Sequence, residues 1–296
     1  MAGATQILDK RRAAENIGKV TNTMETVSAV RYRQYYRSWA EGIEFYDSLA
    51  QLAYLIIAAE HPIDHQLMEN NASDTNVILV IGSDRGLCGG YNSNLFRLLN
   101  IHISMAERFA KKLKIYATGD KVIAYLNNRG IRIEGKFTDF DQVPSPAEAK
   151  KIADDFTNQY LNGQIGRLGI VYTRFFSPAS QKPQTLTVLP ISELIDDLTT
   201  RATVMWPWEL NFEDFLISPS VGEIFDTLAS LMVRTAISGC FLEAALSEHL
   251  TRVVAMRNAT DNAEEMIESL TRQYNLSRQN QITTELLDII GAAFVD

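Results

Sequence analysis

Proline is missing from both ends of this chain. All eight prolines fall between Pro62 and Pro219, leaving proline-free ends of about sixty and about eighty residues, and proline inside a helix costs about 3 kcal/mol. Cysteine is also scarce: Cys88 and Cys240 lie far apart and make no spaced framework, so a reduced compartment is expected and a disulfide is not. Positive charge is thin. With a net charge of −8, the only basic concentrations are Lys10 to Arg12 and Arg31 to Arg37, which argues against nucleic acid as the main partner. No window of eighteen apolar residues occurs; the nearest run, Leu49 to Ala59, is short and amphipathic, so no direct membrane span is expected. The N-terminus lacks the charged head, apolar run and small-residue cleavage site of a secretory signal. It reads as helical almost from the start, which favours a bacterial or organelle-encoded product over an imported precursor.

The proline-free ends carry helical periodicity. From Ser218 to Asp296, Ser218 can cap and Pro219 fits the first helical position. Ile224, Leu228, Leu231, Thr235, Ser238, Leu242, Ala245, His249, Arg252, Met256, Ala259, Ala263, Met266, Leu270 and Tyr274 then follow at steps of three and four. One continuous helix of this length would approach ~110 Å and needs a partner along it. Ile17, Val20, Met24, Val27, Tyr35 or Tyr36, Trp39, Ile43, Tyr46, Leu49, Ala53 and Ile56 or Ile57 keep the same spacing near the start. The two helices are expected to pair as an antiparallel two-stranded coiled coil along these stripes, because the central segment joins the end of one to the start of the other. Strict Ile and Leu heptads are absent, and Thr21, Thr235, Arg252 and Asn262 interrupt the seam.

Between them the period changes. Val77 to Ile81, Leu113 to Thr118, Leu168 to Phe175 and Gln184 to Leu189 read as strands, with a further candidate at Arg132 to Phe137. Asn92 to Lys112, Asp120 to Asn128 and Pro146 to Leu161, the last capped by Ser145, read as helices. Strands alternating with helices predict a mixed or mostly parallel sheet covered on both faces. The fold class is therefore α/β plus coiled coil, with a helix at 1–60, a Rossmann-like α/β domain at 70–205 and a helix at 218–296.

Several groups invite a chemical reading. The turn Ser83-Asp84-Arg85-Gly86-Leu87-Cys88-Gly89-Gly90 follows the first strand, where glycines let N–H groups approach phosphate. It has no Gly-Lys-Ser/Thr ending and no G-x-G-x-x-G, and Asp84 is negative where phosphate would lie. A tight strand-to-helix turn or an interaction surface are the other readings. His61 and His65 with Asp64 resemble a metal cluster, but Pro62 breaks the register that would align the rings. Cys88 with His102 or His249 lacks a local nucleophile signature. Arg31, Tyr32, Arg33, Tyr35, Tyr36, Arg37 and Trp39 interleave cations and aromatics as base-stacking surfaces do, or as a helix with a buried aromatic seam does. At the far end Leu286, Leu287, Ile289, Ile290, Ala292, Ala293, Phe294 and Val295 are apolar all round, which points to a socket in partner subunits.

Taken together, three separated motifs resemble one family. Ser83 to Asn92, including Asp84, Arg85, Gly86, Gly89 and Gly90, is similar to the signature loop of the gamma subunit of F-type ATP synthases. So is the series Ser247-Glu248-His249, Arg252, Ala255-Met256, Ala259 to Ala263, Met266-Ile267, Tyr274-Asn275, Arg278-Gln279, Ile282-Thr283 and Glu285-Leu286. The start, Met1 to Ala4 and then Met24-Glu25, matches as well. Asn280 stands where the family usually has alanine, and Ala29-Val30-Arg31-Tyr32-Arg33 replaces an Ala- and Lys-rich run, departures that suit a divergent or alternative ATPase lineage.

The resemblance implies a central-stalk rotor without catalytic residues, cofactor or metal of its own, present in one copy per complex. Its partners would be the alpha and beta subunits of the F1 hexamer, the epsilon subunit and the c-ring, and it would sit peripherally on the cytoplasmic face of a bacterial inner membrane or on an organelle energy-transducing membrane. Met24 and Glu25 would face a moving loop of a catalytic subunit. Arg252, Arg278, Gln279, Thr283 and Glu285 would serve coupling and the upper bearing. Glu209, in Trp206-Pro207-Trp208-Glu209, resembles a segment near the membrane ring, without the proline usual soon after it. The rival readings are an α/β nucleotide-binding enzyme with helical dimerisation arms and a static coiled-coil scaffold.

Overall fold

In chain order the protein forms α1 (Ala4–Ala58), β1 (Thr75–Ile81), α2 (Tyr91–Arg108), β2 (Lys112–Thr118), α3 (Asp120–Asn128), β3 (Gly135–Lys136), α4 (Pro146–Leu161), β4 (Arg167–Ser177), β5 (Ser180–Leu189), α5 (Ile191–Arg201) and α6 (Val221–Ala293). These come from a computed structural model that describes residues 4–58, 65–138, 142–201, 218 and 220–293. The chain divides into two compact units, one of residues 31–251 and one combining 1–30 with 252–296.

In the larger unit the sheet has the order β3-β2-β1-β4-β5, the first four strands parallel and β5 antiparallel to β4. Side chains of β1 alternate between two cores, as a strand covered on both faces requires. Leu79 and Ile81 pack with Leu49 of α1, Phe156 of α4 and Phe225, Met232 and Phe241 of α6. Ile78 and Val80 pack with Leu95 and Leu99 of α2 and Val122 and Leu126 of α3. Proline in β5 is tolerated because the strand is an edge, where Pro183 stands opposite Thr173.

Local chemistry sets the boundaries. Ser145 accepts from the Glu148 N–H while Glu148 reaches back to the Ser145 N–H, a complete capping box. For α6 the cap is Ser220, whose Oγ accepts from Glu223 N at 3.2 Å, rather than Ser218. The predicted α2 overran: the helix stops at Arg108, Ala110 takes a left-handed φ of 51°, and Lys112 N donates to Asp74 O as β2 begins. The third strand shrinks to two residues, and α5 is an element that the sequence reading did not include, although Ile191, Leu194, Ile195 and Leu198 fall at helical spacing and are all buried.

The most apolar window lies in α6, not at Leu49 to Ala59. Within Val221–Leu287 an eighteen-residue window reaches a mean hydropathy of 1.3, and 56% of it is buried in the protein. Its apolar character is explained by the sheet that α6 covers with Phe225, Met232, Ile237 and Phe241.

Within this unit α1 and α6 run antiparallel. Tyr35 stacks on His249 with centroids 5.6 Å apart, and Tyr46 donates to the Thr235 carbonyl at 3.0 Å. Gly239 leaves the space that the Tyr46 hydroxyl occupies.

In the smaller unit the two helix segments also pair antiparallel, at Gly18 with Ala263, Thr21 with Thr260 and Glu25 with Arg257. On α6 the seam follows the expected stripe, but on α1 it is not the stripe that the apolar residues mark. Ile17 and Val20 are each 55% exposed, Val27 58% and Val30 59%. The buried positions on α1 are Ile7, Ala14, Thr21 and Ser28, and on α6 Arg252, Met256, Ala263 and Leu270. Steps of seven along α1 are the heptad spacing of a left-handed coiled coil. Small residues there let the backbones approach closely, with a Cβ on Gly18 only 3.6 Å from that of Ala263, and the larger apolar side chains stand outside.

Candidate functional site

The signature loop is wound around Asn92. Its Oδ1 accepts from Ser83 N at 3.3 Å, and its Nδ2 donates to Ser83 Oγ at 2.7 Å and to Cys88 Sγ at 3.3 Å. Ser83 Oγ in turn donates to Arg85 O at 2.8 Å. The two strand ends under the loop touch backbone to backbone: Gly119, at φ 88°, has no room for a Cβ against the Gly82 carbonyl. Gly89 takes φ 54°, Gly86 lies beside Lys121, and Gly90 precedes α2 without any side-chain cap. Tyr91 fastens the loop to α6 by donating to Ala244 O at 3.2 Å.

Asp84 occupies a helix start. Its Oδ1 accepts from Asp120 N at 3.3 Å, at the first turn of α3, where an anion is favoured by the helix dipole. Beside it, at the carboxyl ends of β1 and β2, lies a cleft of about 190 Å³ lined by Asp84, Asp120 and Glu248 together with Tyr91, Gln142 and Thr138. This is where open α/β sheets bind nucleotides. Three carboxylates and no Lys or Arg among its described lining residues repel phosphate instead. The cleft floor is polar and ordered: Gln142 Nε2 donates to Glu248 Oε1 at 3.1 Å, and its Oε1 lies 2.6 Å from His249 Nε2.

The other chemical readings separate in space. His65 pairs with Asp226 through Nε2 at 3.0 Å and accepts from Leu67 N through Nδ1; His61 and Asp64 lie outside the described residues. Cys88 is buried against Asn92, whereas His102 is bonded to Thr185 Oγ1 at 2.6 Å and His249 to Gln142. Neither imidazole serves the thiol. Burial, and then the Arg167 charge, hold the His102 pKa below the usual histidine value. Of the aromatic run, Tyr35 and Trp39 pack with Phe175 and Leu246, so its rings serve the protein's own core.

The helix-pair residues fall into two groups. Met24 is exposed on the outer stripe, while Glu25 sits at the edge of the seam, 3.6 Å from Arg257 Nε. Arg252 is buried. Arg278, Gln279, Thr283 and Glu285 are all exposed, with Thr283 Oγ1 donating to Gln279 O and Gln281 Nε2 to Glu285 Oε1. The pairing register puts Ala4 opposite about residue 277, so these four stand on single helix beyond the reach of described α1. Leu286, Leu287 and Ile290 are exposed there too. Glu209 with its neighbouring tryptophans lies outside the described residues, as do the last three residues of the chain.

Sequence reasoning placed Thr21 on the seam but missed its partner, Thr260. Thr21 and Thr260 hydroxyls meet at 2.7 Å, while Thr21 also points at Gly18 O and Thr260 at Met256 O. Two hydroxyl protons serve three acceptor geometries, so the pair has two equivalent arrangements. The available signal was the seven-residue recurrence of small and polar residues, hidden beneath a larger apolar stripe of nearly the same period.

Comparison with known proteins gives a consistent picture. A family model described as ATP synthase matches residues 4–294. The ATP synthase gamma chain of Rhodopirellula baltica is 32% identical over 292 residues, covering 98% of each chain. That of Trichormus variabilis is 34% identical over 318 residues, covering 99% of each. Among solved structures, a chain of the Euglena gracilis mitochondrial ATP synthase, from an assembly of OSCP, F1 and c-ring, aligns with a TM-score of 0.66 over 99% of this chain and 94% of its own, at 22% identity. That structural likeness speaks for the fold.

Proposed function

The chain belongs to the ATP synthase gamma-chain family, and from that membership we propose that it is the central-stalk rotor of an F-type ATP synthase, itself non-catalytic, turning inside a ring of alpha and beta subunits and joined to an epsilon subunit and a c-ring. The observation that carries this reading is the inverted helix pair. The centre of its seam is small and polar, and many of its large apolar side chains, Ile17, Val20, Val27 and Val30 on α1 and Val254, Met266 and Leu276 on α6, are exposed. An isolated zipper buries such residues. A shaft surrounded by other subunits presents them, since an apolar surface on this scale marks an interaction site.

The mechanism follows from asymmetry. Two different helices present a different face in every direction, so three identical catalytic sites around them would each meet different contacts. A contact that favours one conformation of a site by differential binding shifts that site's population, and turning the shaft passes the bias from site to site. The exposure of Met24 on the outer stripe supports such a contact. Glu25, Arg278, Gln279, Thr283 and Glu285 suit contacts that are made and broken, because exposed charge pairs contribute only about 0 to 1 kcal/mol. The acidic cleft over β1 and β2 supports leaving ATP chemistry to the partner subunits. The protein would act peripherally on the cytoplasmic face of a bacterial inner membrane.

The test is reconstitution with the relatives' alpha and beta chains and a bead on the α/β unit. ATP-driven rotation in one direction, with one copy per hexamer, is expected. A stable homodimer that never joins the hexamer, or micromolar ATP binding by the purified chain, would overturn the reading.

A further inference from the structure

The outer face of α2 contributes neither to the cores nor to the signature loop, yet it has the make-up of half a protein interface. Ile101, Met105 and Phe109 recur at steps of four and are 48%, 53% and 66% exposed. A shallow groove beside them is lined by Arg97, Asn100, Ile101, Ser104, Met105 and Arg108. The Arg108 guanidinium lies 5.8 Å from the Phe109 ring centroid, and Arg129 reaches Asn100 from the turn after α3. Arginine, methionine and aromatic residues are the types enriched where proteins meet. No carboxylate lines the groove, although the chain as a whole carries a net charge of −8. The face is therefore a cationic field on an acidic molecule, with an apolar centre.

We propose that this face of α2 docks a second protein, one that presents an apolar centre flanked by Asp or Glu side chains. Arg97 and Arg108 bracket Ile101 and Met105 along about 16 Å of helix, a spacing suited to separate carboxylates held by planar guanidinium forks. Three guanidiniums give an anionic membrane little purchase, at about 1 kcal/mol each, and the groove has no lysine. The proposal stands apart from the rotor reading, because it needs only the α2 surface.

The test uses the full chain in its native complex, with a photo-crosslinking phenylalanine at Ser104 and, as a control, at Lys150 on the exposed side of α4. Ser104 is expected to crosslink to one protein through a peptide containing Asp or Glu, and Lys150 not to that peptide. Reversing charge with R97E and R108E together should cut the crosslink at least about tenfold, and placing Arg at the acidic residues of the crosslinked peptide should restore it. If the double variant fails to fold, M105D tests the same contact from the apolar centre and should also lose the crosslink. Crosslinks to lipid alone, to no protein, or to a protein whose yield ignores both kinds of substitution would overturn the proposal.

Discussion

Replacing Asn92 tests whether the signature loop is a wound structural turn. In Asn92→Ala the buried Ser83 N–H loses its acceptor, and Ser83 Oγ and Cys88 Sγ lose a donor. Stranding a buried N–H costs about 1 to 3 kcal/mol and each lost bond about 1, the sulfur bond less, so the variant should lose about 2 to 4 kcal/mol. Asn92→Asp keeps an acceptor for Ser83 N, and Ser83 Oγ can turn its proton to the new carboxylate by releasing Arg85 O. Being in the first turn of α2, the carboxylate also gains about 0.3 to 1 kcal/mol from the helix dipole. The aspartate variant should therefore lose only about 1 kcal/mol. The assay is urea unfolding of the full chain, with hydrogen exchange read at residues 82–95 so that the transition is assigned to this unit. Alanine within about 0.5 kcal/mol of the parent, or aspartate worse than alanine, would refute the reasoning.

Gly239→Ala should destabilise despite the better helix propensity of alanine: the new methyl would overlap the Tyr46 hydroxyl and stand 3.0 Å from its Cζ. Overpacking at about 1 to 3 kcal/mol, plus the bond to Thr235 O, exceeds a gain of about 1; in a Tyr46→Phe background the loss should shrink by more than about 0.5 kcal/mol, and simple additivity would count against the contact. His102 supplies a pH dependence. Its lowered native pKa means that the unfolded chain takes the proton first, so stability is full above about pH 6.5 and falls as pH drops toward the native pKa; His102→Gln should flatten that part of a melting-temperature profile, and an unchanged slope would refute the assignment. Met24→Lys should leave assembly of the reconstituted complex largely intact while lowering ions pumped per ATP, because it sets a cation against a moving partner surface; unchanged pumping per ATP would remove Met24 from the contact.

Much of the sheet was legible because its central strands, β1 and β4, bury both faces and so read as apolar runs, as Val77 to Ile81 does. Its edges were harder. β3 keeps only Gly135 and Lys136 in the ladder, and the eleven-residue α5 was passed over although Ile191, Leu194, Ile195 and Leu198 carry helical spacing. In the signature loop, the sequence pointed to glycine freedom and to the charge of Asp84. It could not show that Asp84 accepts from the start of α3, since Asp120 is thirty-six residues away, nor that Asn92 ties the turn together.

The helix pair shows why a periodic pattern can be read correctly and assigned to the wrong neighbour. Ile17, Val20, Met24 and Val27 repeat at three and four, and Ile7, Ala14, Thr21 and Ser28 repeat at seven. Both periods fit one helix, and apolar character says only that a surface prefers to leave water, whatever covers it. What decides between the stripes is separation. Small residues let helix backbones come close, and a Cβ at Gly18 would already be in van der Waals contact with Ala263. At that spacing Ile17, Val20 and Val27 have no hole to enter and turn outward. A seam centred on Ala14, Thr21, Ser28, Thr260 and Ala263 gives up much of the burial that Leu and Ile would provide there, at about 25 cal/mol per Å². The same chain then carries that unburied apolar area on the outside, so the stability missing from the seam is recovered only when other subunits close around the pair. Substituting leucine at Thr21 and Thr260 together should therefore force the seam apart instead of strengthening it, and a higher melting temperature of the free chain with unimpaired assembly would show that the small seam is incidental.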